Sequence, residues 1–205
     1  MIRLAVLALI ACMSTPALAQ DKLTERAAMS RLKGNHNASV LVYEFADFQC
    51  PYCARFAREV FPRIDSAYVR TGKVQWIFVN MPLPNHPNAW AASETAMCAG
   101  AVNEKFWAVH DRLFEQQQEW TGVTDPAALF ARYARDAGVP QDAFQACVLS
   151  DRTAALLVRD VMYATSVRVT GTPAFIINTD PIFVGMKSFE EWRDLLDAAL
   201  RRPKQ

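Results

Sequence analysis

Val40-Leu41-Val42-Tyr43-Glu44-Phe45-Ala46 is apolar or aromatic except at Glu44, and a polar elbow at Asp47 to Gln49 carries it into Cys50-Pro51-Tyr52-Cys53. That order predicts a buried strand running into the first turn of a helix. The helix is expected from about Cys50 to Thr71, kinked or broken at Pro62 and ended by Gly72. Val74 to Val79 is then a second strand. Strand, helix and strand at this spacing make a βαβ unit, with parallel strands and a right-handed crossover.

Two cysteines separated by two residues suit three chemistries: half a zinc site, a haem attachment site or a redox pair. Haem attachment needs His after the second cysteine, where this chain has Ala54. Zinc needs two more ligands at short spacing, whereas Cys98 and Cys147 stand alone in helical surroundings and only three His exist. A redox pair is the leading reading and an inert structural disulfide the bland one. Unpaired N–H groups and the dipole at a helix start favour a thiolate on the first cysteine. Cys50 is therefore the expected nucleophile, with a pKa of about 3.5 to 7.5 as in such motifs. Cys53, one turn deeper, is the expected resolving thiol. No metal ligands and no cofactor are expected beyond the redox-active Cys50–Cys53 disulfide.

Three prolines between Met81 and Pro87 end the regular structure. From Asn88 to about Arg168 there is no strand signal, only amphipathic helical patterns near 89–100, 104–118, 126–137, 141–149 and 152–166. Thr124-Asp125-Pro126 is a helix start and Gly138 a helix stop. Phe106, Trp107, Leu113 and Phe114 fit a core stripe. His86 reads as a local hydrogen-bonding group in the proline-rich exit, and His36 and His110 as structural residues. Strand signals return at 173–178 and 182–184 with hairpin spacing. Ser188 and Glu191 form a capping box for a last helix, 189–200. The expected class is α/β: a βαβ half over 40–84, an all-helical insertion over 85–168 and a ββα half over 169–205.

Residues 1–19 differ in kind. Arg3, an apolar run from Leu4 to Met13 and the small residues Ala17 and Ala19 predict a secretory signal cleaved after Ala19, too short in its apolar run to span a bilayer. The rival is lipid attachment at Cys12, which would leave a signal of eleven residues. Gln20 to Ser39 reads as a polar arm leading into the domain, with a weakly helical start from Leu23 to Lys33 and a turn at Gly34 to Asn37. A periplasmic or otherwise exported location follows, and cleavage leaves Cys50, Cys53, Cys98 and Cys147. An even count in an oxidising compartment invites two pairs. The short Cys50/Cys53 spacing makes Cys98 with Cys147 the natural second bridge, closing a loop of about fifty residues worth roughly 4 kcal/mol. Its rivals are two buried free thiols or a second redox relay. A net charge of +1 without blocks of like charge gives no sign of a nucleic-acid partner.

Alternation places Val40, Val42, Glu44 and Ala46 on one face of the first strand. A carboxylate there is costly unless it is paired or has a proton to manage. Glu44 is thus either a buried acid relaying protons to or from Cys53 or a strand-end residue at the sheet margin. Val169-Thr170-Gly171-Thr172-Pro173 precedes the returning strand, where a proline without an N–H can open a strand and its preceding peptide can be cis.

Glu44 to Cys53, the helical insertion after the second strand and Gly171-Thr172-Pro173-Ala174-Phe175, taken in that order, resemble the DsbA-like branch of the thioredoxin superfamily. The resemblance covers nearly the whole mature chain. It implies a thioredoxin fold with a helical insertion, a cis peptide before Pro173, a Thr172-Pro173 loop against Cys50 that holds substrate backbone, and Glu44 as the buried acid. Pro51 and Tyr52 would tune the Cys50 pKa, and Tyr52 would offer an apolar surface to substrates. The implied function is thiol:disulfide exchange with unfolded or partly folded exported proteins, with a membrane partner recycling the enzyme. The Pro51-Tyr52 dipeptide occurs in both oxidases and isomerase/reductases. Only about twenty residues precede the first strand after cleavage, which favours a monomeric oxidase over an isomerase or reductase with an assembly region. A reading from a different class is a Cu(I)-binding module on the Cys50/Cys53 pair.

Overall fold

The computed structural model describes residues 16–202, so most of the expected signal segment and Cys12 lie outside the described residues. Helix α1 (Pro16–Ser30) leads into a short strand, β1 (Leu32–Gly34), and then β2 (Val40–Ala46). Helix α2 (Pro51–Glu59) and α3 (Phe61–Ile64) precede β3 (Val74–Asn80). Six helices follow: α4 (Ala89–Asn103), α5 (Phe106–Glu115), α6 (Gln117–Trp120), α7 (Ala127–Asp136), α8 (Gln141–Leu149) and α9 (Ala154–Ser166). Strands β4 (Ala174–Ile177) and β5 (Phe183–Val184) and helix α10 (Phe189–Leu200) close the chain.

The five strands form one sheet in the order β1-β3-β2-β4-β5. β2 is central, parallel to β3 and antiparallel to β4, so Glu44 faces Phe78 on one side and Phe175 on the other. The segment expected as an arm is helical as far as Ser30, within its expected helical start, but it packs into the fold. Its residues 32–34 pair antiparallel with β3 as an edge strand, and α1 packs along α4. Three residues are too few for a periodic strand signal, which is why the pattern did not disclose β1. The approach of α1 to α4 needs glycine: a Cβ on Gly100 would collide with Ser30 Oγ and lie 2.9 Å from Ser30 Cβ.

The expected break at Pro62 comes as a handover. α2 ends at Glu59, α3 takes over, and a single π-helical turn (Asp65–Val69) follows, closed by Arg70 N–H donating to Asp65 O at 2.8 Å. Proline lacks the N–H and crowds the preceding turn, so one continuous helix could not form.

One face of the sheet carries an aromatic core. Phe56 and Phe61 meet Trp76, Phe175 and Trp192 there, with Val40, Val42 and Leu196 filled in around them. On the other face Tyr163 of α9 packs on Tyr43 and Phe45, while Ala164 joins Phe45, Val79 and Ala174. Helix α9 therefore serves the sheet as well as the inserted helices. Its Asp160 accepts from the backbone N–H and side-chain amide of Asn80 (3.0 and 2.9 Å) and pairs with Arg31. The remaining inserted helices share a core with the cysteine loop, in which Phe48, Cys50, Cys53 and Phe78 meet Phe106, Leu113, Phe114 and Trp120. Cys98 of α4 is disulfide-bonded to Cys147 of α8 across a sequence separation of 49, and both are buried. No helix among the described residues is long and apolar enough to cross a membrane.

Candidate active site

The elbow that ends β2 is built on Asp47. Its Oδ1 accepts from Gln49 N–H (2.6 Å), its backbone carbonyl from Cys50 N–H (3.1 Å), and its Oδ2 from Leu83 N–H (2.7 Å). His86 Nδ1 lies 2.8 Å from the same Oδ2. His86 is thus a local hydrogen-bonding group, and its partner is the residue that shapes the turn. An Asx turn of this kind stops the strand and presents the next residue as a helix cap. Cys50 takes the N-cap position with extended backbone (φ −71°, ψ 122°), and Pro51 opens α2 where its missing N–H is no loss.

Cys50 keeps 5% of its surface exposed, Cys53 none, and Tyr52 between them 63%. The two thiols are unbonded and their environments push them apart. Cys50 is drawn down to about 6, first by the S–H of Cys53, against the opposing effect of burial, and then by Thr172 and the backbone N–H groups of Cys53 and Tyr52. Cys53 is raised well above an ordinary thiol, first by burial, then by its bond to Cys50 and the Cys50 charge, with Glu44 adding to the rise. A backbone N–H of Asp47 acts the other way on Cys53. One sulfur is thus held as an anion at neutral pH and the other as a thiol.

Opposite the pair, the Thr172–Pro173 peptide is cis, and Cys50 Sγ lies 3.3 Å from Thr172 O, which accepts the S–H whenever Cys50 is protonated. Gly185 N–H donates to Pro173 O at 2.7 Å, fixing the loop to the hairpin. The Thr172 hydroxyl is buried without a partner, and a thiolate on Cys50 would give it one. Pro51 is exposed beside Tyr52 at the mouth of the site.

Glu44 is 1% exposed on the central strand, which places it in the interior and not at the sheet margin. Trp76 Nε1–H donates to its Oε2 at 2.7 Å, while Oε1 has no partner. Burial pushes its pKa up to about 8, and the Trp76 bond only partly opposes that rise. A carboxyl so buried is held in its neutral form at neutral pH, and its charge, when formed, adds to the rise at Cys53. Nothing local in the sequence marks Trp76, because its contact with Glu44 depends on strand pairing across 32 residues. His110 is buried among Phe48, Phe78 and Phe114, bonded to Asp111 at 2.8 Å, with its pKa pushed down by burial. No group of three or more His, Cys, Asp or Glu among the described residues is placed to hold a metal ion.

The sequence matches the thioredoxin family model over residues 26–198. It is 34% identical over 148 residues to the Na(+)/H(+) antiporter NhaA 3 of Salinispora tropica, a match that covers 72% of this chain and 21% of that protein. It is 28% identical over 177 residues to the "Probable disulfide bond formation protein D" of Bacillus cereus, covering 82% of this chain and 81% of that one. The chain spans between about a fifth and three fifths of the length of the first curated relatives it matches. Among solved structures, Wolbachia pipientis alpha-DsbA1 superimposes with a TM-score of 0.73 at 25% identity, over 83% of this chain and 90% of that one. With its five-stranded sheet, its inserted helices and a CxxC pair at the start of α2, the chain belongs to the thioredoxin family, in its DsbA-like branch.

Proposed function

We propose that this chain is a thiol:disulfide oxidoreductase that introduces disulfides into other exported proteins, with Cys50 as the exchanging sulfur. The observation that carries this reading is the split between the thiols: Cys50 drawn down to about 6 and Cys53 raised, one turn apart at a helix start. A stabilised thiolate favours the reduced form, so the oxidised form gives up its disulfide readily.

In the oxidising direction, a substrate thiolate attacks Cys50 Sγ and the Cys50–Cys53 bond breaks. Cys53 leaves as a thiolate and takes a proton, in this reading from Glu44. A second substrate thiolate then attacks the substrate sulfur of the mixed disulfide and releases Cys50 as a thiolate. The substrate has gained one disulfide and lost two electrons, now held by Cys50 and Cys53. The Thr172 and Pro173 loop supports the substrate backbone next to Cys50, with Pro51 and Tyr52 forming the opposite rim. Cys98–Cys147 is a structural bridge. No bound cofactor is needed, since the Cys50–Cys53 disulfide is itself the oxidant.

Reoxidation requires an external acceptor, for which a membrane redox partner is the natural class in an exported protein. Residues 1–19 have the composition of a secretory signal, which supports export. α1 packs on α4 of the same chain and is not held out as an assembly arm, which supports action as a monomer.

The test is a paired assay. The oxidised chain should restore disulfides to a reduced, unfolded protein while becoming reduced itself, and should reactivate a scrambled one no faster than the background. Fast reactivation with slow oxidation would assign isomerisation instead.

A further inference from the structure

The loop that presents Cys50 is held from the inserted helices. Gln117 opens α6, is 7% exposed, and stands 67 residues from Cys50 in sequence. Its side-chain Nε2 donates to Phe48 O at 2.7 Å and to Cys50 O at 3.0 Å. A carboxamide nitrogen has two hydrogens, so both are used on this loop. Phe48 is fully buried and its carbonyl lies outside strand and helix ladders.

The Cys50 carbonyl matters more. Pro51 has no N–H, so the peptide plane joining Cys50 to α2 can be gripped by hydrogen bonds only at its oxygen. That oxygen accepts from Ala54 N–H at 3.1 Å within the helix and from Gln117 across the interface. The orientation of this plane sets where Cys50 Sγ stands relative to the N–H groups of the first turn. Those groups, of Tyr52 and Cys53, are among the donors that favour the thiolate.

We propose that Gln117 is a positioning residue for the exchange reaction: by gripping the carbonyls of Phe48 and Cys50 it fixes the helix cap and so where Cys50 Sγ stands against the first turn of α2. The inserted helices thereby set the reactivity of a cysteine borne by the sheet domain. The inference rests on the oxidoreductase reading given above.

The test is Gln117→Met, which keeps the side-chain length and removes both donors, with the Cys50 thiolate titrated by ultraviolet absorbance. The midpoint should rise by about half to one pH unit, a three- to tenfold loss of thiolate at a given pH. The equilibrium with a glutathione buffer should move toward the disulfide by a similar factor. Asn88→Ala supplies the comparison: it removes the amide that donates to Trp120 O and Val123 O at 3.1 and 2.8 Å, and keeps the backbone N–H that donates to Gln49 Oε1 at 2.8 Å. It should lower thermal stability and leave the midpoint in place. If Gln117→Met fails to fold, Gln117→Asn keeps the amide but withdraws it from both carbonyls and should show the same rise.

An unchanged midpoint, with the oxidised and reduced forms losing stability equally, would make Gln117 merely structural and overturn the proposal. If the unsubstituted protein itself titrates like an ordinary thiol, the oxidoreductase reading fails instead, so the two failures are distinguishable.

Discussion

The chain carries two cysteine pairs of the same chemistry in opposite surroundings. Cys98 lies mid-helix in α4 and Cys147 in the last turn of α8, buried among apolar side chains and bonded to each other. Cys50 and Cys53 share one helix start, where N–H groups and a neighbouring S–H are directed at one sulfur and burial isolates the other. The first pair is shielded from attack on both sulfurs. In the second, Cys50 retains 5% exposure where Cys53 has none, and it stands next to a cis-proline loop. The contrast teaches that reactivity here comes from asymmetry within a pair.

The sharpest way to break that contrast is to remove one sulfur at a time. Cys50→Ser should lower substrate oxidation by several orders of magnitude, whereas Cys53→Ser should accumulate substrate adducts on Cys50, read by mass spectrometry under non-reducing conditions. Adducts on Cys53 in the converse variant would reverse the roles. Deleting the other pair should act on stability alone. The Cys98→Ala/Cys147→Ala double variant should lose about 4 kcal/mol in denaturant unfolding, by the loop-entropy argument for about fifty residues, and keep its oxidation rate within about twofold.

Glu44 sharpens the asymmetry from below. A buried carboxyl raised to about 8 binds more protons folded than unfolded between its ordinary value near 4.5 and 8. Stability must therefore fall as pH rises through that window and level off above it. Glu44→Gln keeps an acceptor for Trp76 and removes the titration. It should stabilise the protein by on the order of 3 kcal/mol at pH 7, with the gain vanishing near pH 4.5, while slowing the step in which Cys53 leaves. Equal pH profiles for the two proteins would show that Glu44 is not a buried acid. The smallest effect is expected from Trp76→Phe, which strips Glu44 of its donor. It should cost about 1 to 2 kcal/mol and move the levelling pH upward, since the Trp76 bond lowers the Glu44 pKa.

Much of this was legible in the residue order. The period-two run of β2, the cap at α2, the break at Pro62 and the capping box at Ser188 are local signals, and each is written within a few residues. Contacts between distant segments left no such mark. β1 is three residues long and shows itself only by pairing with β3. Gln117 looks like one more polar residue in Gln116-Gln117-Gln118, and only folding brings its amide to two carbonyls of the cysteine loop. Asp47 was visible as a polar elbow, but its hold on Leu83 and His86 depends on the path of the proline-rich exit. α9 read as one more helix of the insertion because its period is helical. That it covers the sheet follows from Tyr163 and Asp160 meeting partners more than 70 residues away.

The most direct test of the asymmetry is alkylation of Cys50, Cys53, Cys98 and Cys147 as a function of pH, after mild reduction, with each site quantified by mass spectrometry. Cys50 should label with a midpoint near pH 6, Cys53 should stay unreactive across the neutral range, and Cys98 and Cys147 should remain bonded and unlabelled. Labelling of Cys50 and Cys53 with one common midpoint in the ordinary thiol range would contradict the account.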